Sequence, residues 1–280
     1  MEKRPLLFTI IGSAINTLGV LSPKLGAKVA MYLFQKPRRK KLNEEQINFL
    51  TSAQITLPEG ESDIAYYLWG TSERYLLLIH GWESGTIRWK PYIDKLVALG
   101  YSVIAADAPG HGLSTNPTFN AYLYSKALYP LINTYRPELV IGHSVGGFVS
   151  VLTGAMKVEQ QPKNYILLAP NNKIKDTFNT YKQMIGMSDR VMNASLASVP
   201  SITPEKLPIE FFASEELIKK IPVPIDIIHD RDDSLLKFSE SEKLARLFDN
   251  VTLYVTEGHG HRLKSKEIIN LVIKRVKAIQ

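Results

Sequence analysis

From residue 51 onward two kinds of apolar pattern alternate along the chain. Short runs rich in Val, Ile, Leu and Tyr read as strands over 53–57, 64–69, 75–79, 101–106, 138–141, 165–169, 225–228 and 251–255. Between them apolar residues recur every three or four positions. That spacing predicts helices near Trp89–Leu99, near Phe119–Tyr135, over 147–156 and from about Ser265. The first two strands read as a hairpin around Pro58-Glu59-Gly60. Strands and helices in alternation predict an α/β fold, a mainly parallel eight-stranded sheet with helices on both faces. Residues 171–222 break the rhythm with helix-like pieces at Ile174–Ile185 and Ser214–Lys220. So long an interval between strands predicts a small helical cap.

Ahead of this body, Leu7, Ile10, Ile11, Ala14, Leu18, Leu21, Leu25, Val29 and Leu33 recur at helical spacing, and Ser22-Pro23 splits the run into two helices. Residues 1–50 are therefore expected to be an amphipathic helical extension, and residues 51–280 one α/β domain carrying the cap. Leu6–Leu21 is shorter than the ~20 apolar residues of a bilayer crossing. Asn16, Thr17 and two glycines dilute it, and no convincing cleavage site follows closely.

The net charge of +7 changes the picture only at this end. Residues 1–41 hold nine Lys and Arg against Glu2 alone, leaving 25 basic and 26 acidic side chains in the remainder. A near-neutral body makes nucleic acid a poor partner. The run Lys36-Pro37-Arg38-Arg39-Lys40-Lys41 beside amphipathic helices fits peripheral membrane contact through residues 1–41 of an otherwise cytoplasmic protein. Those helices read first as a pair packed on the body, and the membrane contact is the sharper alternative. The absence of cysteine excludes disulfides, thiolate metal sites and a cysteine nucleophile. The six histidines occupy separate loop positions without zinc-motif spacing, so no metal is expected.

Candidate chemistry centres on Gly142-His143-Ser144-Val145-Gly146, between an apolar strand and a helical pattern. A serine there, with glycines two positions away on both sides, fits a strand–turn–helix nucleophile elbow. Serine needs a base to take its proton, and the base needs a carboxylate to hold its tautomer. Downstream strands end in His229-Asp230-Arg231-Asp232-Asp233-Ser234 and in Glu257-Gly258-His259-Gly260-His261-Arg262. These loops supply both partners.

With these motifs, residues 53–280 resemble the α/β-hydrolase superfamily in its serine esterase and lipase-like branch. His80-Gly81-Trp82 is similar to the family's H-G-x oxyanion loop, and Asp107-Ala108-Pro109-Gly110-His111-Gly112 to its D-x-P-G-x-G turn. Asp233 follows His229 by four residues, as the acid does in H-G-x-x-D members, although Asp230 replaces the glycine. Gly258-x-Gly260-His261 resembles the setting of the general base. The resemblance implies Ser144 as nucleophile, His261 as base and Asp233 as its acid. Oxyanion donors would be the backbone N–H groups of Trp82 and Val145, and no cofactor is required.

Read from the residues alone, His259 competes with His261, and Asp230 and Asp232 compete with Asp233. The bland reading of those two aspartates is a solvated acidic loop paired to Arg231. His80, His111 and His143 are expected to orient loops through bonds to backbone, and Asp107 to fix a turn. Superfamily branches that open epoxides or displace halide use an aspartate where this chain has Ser144, so the resemblance implies acyl transfer on a small-molecule ester or thioester, with peptide or amide cleavage and C–C bond hydrolysis open to the same triad. Phe178, Tyr181, Met184, Ile185, Met187 and Met192 offer the cap an apolar surface, for an acyl chain of a lipid-like ester or for packing alone. The rival is a catalytically silent hydrolase fold acting as a binding or scaffold protein.

Overall fold

The computed structural model describes residues 5–39, 41–57, 64–157 and 160–279. The expected turn at Pro58-Glu59-Gly60 lies outside them. Eight strands form one sheet: β1 (Gln54–Thr56), β2 (Tyr66–Trp69), β3 (Tyr75–Ile79), β4 (Ser102–Ala106), β5 (Leu139–His143), β6 (Asn164–Leu168), β7 (Ile225–Asp230) and β8 (Val251–Thr256). Their order is β1-β2-β4-β3-β5-β6-β7-β8. β2 runs antiparallel to β1 and β4, and every other pairing is parallel.

Strands β4, β5 and β6 are buried along their whole length, which is why they read as unbroken apolar runs rather than alternating ones. Successive side chains still point to opposite faces. On β3, Leu77 and Ile79 join a core with Phe148 and Leu128, from α6 (Val145–Lys157) and α5 (Ala121–Tyr135). Leu76 and Leu78 join the other core with Ile93 of α4 (Lys90–Ala98) and Val272 of α11 (Lys266–Ile279).

Between β6 and β7 lie α7 (Ile174–Ile185), α8 (Asp189–Ser198) and the short α9 (Ser214–Ile218). Helices α3 (Glu44–Thr51), α8 and α10 (Phe238–Leu247) are not legible in the apolar pattern. In α3 a reciprocal capping box between Asn43 and Gln46 marks the start instead.

The N-terminal helices α1 (Leu6–Leu21) and α2 (Pro23–Phe34) part at Ser22, whose hydroxyl caps α2 by accepting from Leu25 N–H. Pro23 takes the first helical position, where its missing N–H costs nothing. Both helices pack on the β6–β7 segment. A Cβ at Gly12 would sit 1.6 Å from the Ile185 carbonyl oxygen, so only glycine permits this approach. Asn16 Nδ2 donates to Gly186 O at 2.9 Å, and its Oδ1 accepts from Ser188 N–H at 2.8 Å. The glycine and the polar residue that dilute the apolar stretch are thus its docking contacts. Among the described residues no helix is long and apolar enough to cross a membrane.

Candidate active site

Ser144 is the single residue between the end of β5 and the start of α6, and it takes a left-handed backbone with φ of 57°. For a residue with a Cβ that conformation costs on the order of 1–3 kcal/mol. It is held from three sides. Ser144 N–H donates to Leu168 O at 2.9 Å on β6, and its carbonyl accepts from Gly147 N–H at 3.0 Å and Asn171 N–H at 3.1 Å. The flanking glycines serve close approach: a Cβ at Gly146 would lie 2.3 Å from Ile79 O, and one at Gly142 2.5 Å from Ser150 Oγ.

His261 Nε2 lies 3.1 Å from Ser144 Oγ, and its Nδ1 lies 2.8 Å from Asp233 Oδ2. An ionised carboxylate only accepts, so Nδ1 carries the proton and Nε2 is left to accept from the hydroxyl. Asp233 Oδ2 also accepts from His229 Nε2 at 3.1 Å, while Oδ1 accepts from Leu235 and Leu236 N–H at 2.8 and 2.9 Å. Ser241 Oγ, 2.7 Å from His229 Nδ1, completes that ring's bonding. Burial alone would raise the pKa of Asp233. The bonds from His229, His261 and Leu236 outweigh it and hold the carboxyl well below its ordinary range.

The competing residues take other roles. Asp230 is buried and accepts from Thr256 Oγ1 at 2.8 Å and His259 N–H at 3.0 Å, tying β7 to the loop that carries His261. Asp232 Oδ2 accepts from Gly258 N–H at 2.9 Å in the same loop. Asp230 is thus buried rather than solvated, Asp232 is exposed, and the Arg231 guanidinium meets Glu257 at 3.3 Å. The imidazole bonded to Ser144 is that of His261, not His259.

Histidines around the site hold backbone. His143 Nε2 donates to the His261 carbonyl at 3.0 Å, and Arg88 Nη2 donates to Arg262 O at 2.6 Å. Burial, with Arg88 and His261 nearby, pushes His143 far below its ordinary value, so it stays neutral. His80 accepts from Ala108 N–H at 3.0 Å, and His111 from Glu83 N–H at 2.9 Å. Asp107 accepts from Thr86 N–H, Leu113 N–H and the Tyr67 hydroxyl, fixing the turn after β4.

These bonds shape the H-G-W loop after β3. A Cβ on Gly81 would fall 3.0 Å from Ser144 Cβ, so this backbone runs directly against the serine. Trp82 and Val145 line one cavity of about 800 Å³ with Ser144 and His261. Its walls are mainly apolar. Phe34 of α2 anchors them, with ring centroids 5.8 Å from Trp82, 5.1 Å from Phe178 and 4.8 Å from Tyr181. Of the cap residues named from sequence, Phe178, Tyr181, Met184 and Ile185 line the cavity, whereas Met187 and Met192 are buried in packing. Sequence reasoning missed Arg88, His229 and the α1 wall residues Leu7, Phe8 and Ile11. Only His229 carried a signal, its four-residue spacing to Asp233. Among the described residues no group of three His, Asp or Glu side chains could hold a metal ion.

Comparison with known proteins agrees with this geometry at the level of the fold. The chain is 32% identical over 109 residues to an esterase of Mycobacterium tuberculosis, a match covering 36% of each chain. With a non-heme chloroperoxidase of Kitasatospora aureofaciens it is 24% identical over 245 residues, covering 71% of this chain and 88% of that one. Among solved structures, an esterase of Pyrococcus furiosus superposes with a TM-score of 0.61 at 20% identity, covering 88% of this chain and 96% of that one. The α/β-hydrolase domain-containing protein 10 of mouse superposes with a TM-score of 0.61 at 15% identity, covering 81% and 98%. The model of the family described as "Serine aminopeptidase, S33" matches residues 70–211, just over half of the chain. By that match and by the sheet, elbow and loop order described above, the chain belongs to this family of the α/β-hydrolase superfamily.

Proposed function

We propose that the protein is a cofactor-free serine hydrolase that cleaves a carboxylic ester or thioester through an acyl-enzyme on Ser144. The observation that carries this is the bonded series from Ser144 Oγ through His261 to Asp233, opening on a cavity with apolar walls. Ser144 Oγ attacks the acyl carbonyl carbon while His261 Nε2 takes the hydroxyl proton. Asp233 stays ionised, keeps the ring in its tautomer and stabilises the imidazolium. Backbone N–H groups of Val145 and Trp82 receive the developing oxyanion. Collapse breaks the ester C–O or thioester C–S bond, and His261 returns the proton to the leaving oxygen or sulfur. A water deprotonated by His261 then attacks the acyl-enzyme and releases the acid.

The charge of the cavity favours an ester over an N-terminal peptide. An aminopeptidase needs a carboxylate for the free ammonium group of its substrate. Glu83 is the one carboxylate lining this cavity among the described residues, and it is ion-paired to Arg38 at 2.7 Å. Arg88, Arg262, Lys36 and Lys264 line the same space. Such a field repels an ammonium and suits a neutral or anionic acyl donor.

A fluorophosphonate probe tests the reading. Wild type is expected to be labelled and Ser144→Ala is not. A folded wild type that stays unlabelled and inert toward a chain-length series of nitrophenyl esters, with thioester and amide analogues beside it, would instead identify a silent fold used for binding.

A further inference from the structure

We propose that the outer face of α1 and α2 docks on an anionic lipid bilayer, and that the ester is drawn from that bilayer into the Ser144 cavity. The second part rests on the hydrolase reading above; the docking does not.

Three observations converge. Leu6–Leu21 contains no charged side chain, yet Leu6 and Leu21 are 76% and 77% exposed, with Leu7, Ile10 and Val20 also turned outward. The two helices make up a tenth of the chain and carry half of the large apolar side chains that the described residues expose. Scattered exposed apolar residues are normal, but a cluster of this kind marks a contact surface.

The second observation is charge. From residue 5 to residue 41 the chain has seven Lys and Arg and no carboxylate. On α2, Lys24, Lys28 and Tyr32 follow at four-residue steps on one exposed stripe that continues to Lys36. Apolar residues flanked by basic ones, with no acid between, match the headgroup and acyl layers of an anionic membrane.

The third is continuity with the cavity. Leu7 of α1, Leu33 of α2, Met184 of α7 and Leu235 after β7 are exposed, and all four also line the space that holds Ser144. A single apolar path thus leads from the outside of the helical pair to the serine. Water leaves such a path when lipid covers it, so an acyl chain passes from bilayer to cavity without crossing solvent.

Flotation with vesicles tests this, using the full chain carrying Ser144→Ala so that no lipid is consumed. It is expected to float with phosphatidylglycerol vesicles and much less with phosphatidylcholine vesicles. Adding Leu6→Glu, Ile10→Glu and Leu21→Glu is expected to lower binding about tenfold or more. Lys24→Glu with Lys28→Glu should remove the preference for phosphatidylglycerol. In a Ser144 background the apolar variants are expected to hydrolyse a soluble nitrophenyl acetate as wild type does, since none of the three residues lines the cavity. Protein that stays in solution, or a triple variant that floats as well as its parent, overturns the proposal. So does a dimer dissociated by the same three substitutions, because a second copy would then cover this face. Vesicle binding by Ser144→Ala, together with a wild type that no fluorophosphonate labels, would sustain the docking surface while removing the hydrolase reading.

Discussion

His229 Nε2 stands 3.1 Å from Asp233 Oδ2, and both side chains are fully buried. The same oxygen accepts from His261, so a second histidine helps to hold the carboxylate in place from behind. A hydrogen bond to a charged group contributes about 1.5–3 kcal/mol. His229→Leu is therefore expected to lower stability by about 2 kcal/mol in urea titration. It should also raise the pKa of Asp233, followed by NMR of its carboxyl carbon, because the carboxylate loses one of the donors that lower it. His229→Gln keeps a donor and should restore part of both. An unchanged Asp233 titration in His229→Leu would show that this histidine only fills space.

The strained backbone of Ser144 has a consequence for stability. Glycine adopts a φ of 57° freely, whereas serine does not. Ser144→Gly is expected to abolish fluorophosphonate labelling while raising the unfolding free energy by about 1 kcal/mol. Ser144→Ala keeps the Cβ and should show no such gain. Equal unfolding midpoints for the two variants would argue against stored strain.

His80 makes stability depend on pH. It is fully buried, donates to Gly81 O and accepts from Ala108 N–H, so protonation would set two donors against each other. Burial, with His111 nearby, pushes its pKa from 6.5 down to about 4. Between those values the unfolded chain binds the proton and the folded one does not, so stability falls as pH drops from about 6.5 to about 4. Urea midpoints across this window should decline in wild type and decline less in His80→Gln.

Gly12 governs how α1 meets α7. In Gly12→Val the new side chain would overlap the Ile185 carbonyl and force the helices apart. Leu7, Phe8 and Ile11 would then leave the cavity wall. Long-chain nitrophenyl esters are expected to lose kcat/KM far more than nitrophenyl acetate, and α1 should become open to limited proteolysis. Equal losses on short and long esters would mean that α1 does not line the acyl path.

Much of the molecule was legible in one dimension because its signals are local. Runs such as Leu76-Leu77-Leu78-Ile79 are apolar at every position since both sheet faces are covered, and Ser22-Pro23 announces a helix boundary through capping alone. The order of Ser144, Asp233 and His261 followed from turn residues at strand ends. What stayed hidden depends on contacts between segments far apart in sequence. Nothing near Asp230 distinguishes an acid that ties two loops together from one that faces a base; the register between β7 and β8 decides it, setting Asp230 against Thr256 and leaving Asp233 to His261. Gly12 and Asn16 looked like flaws in an apolar helix until the α7–α8 turn supplied the carbonyl and amide they meet. Local pattern thus determined which elements form and where reactive side chains stand along them, because hydrogen bonding and periodicity act over a few residues. Tertiary packing alone decided which polar groups face one another and that the N-terminal helices wall the cavity, because those outcomes depend on burial shared between distant segments.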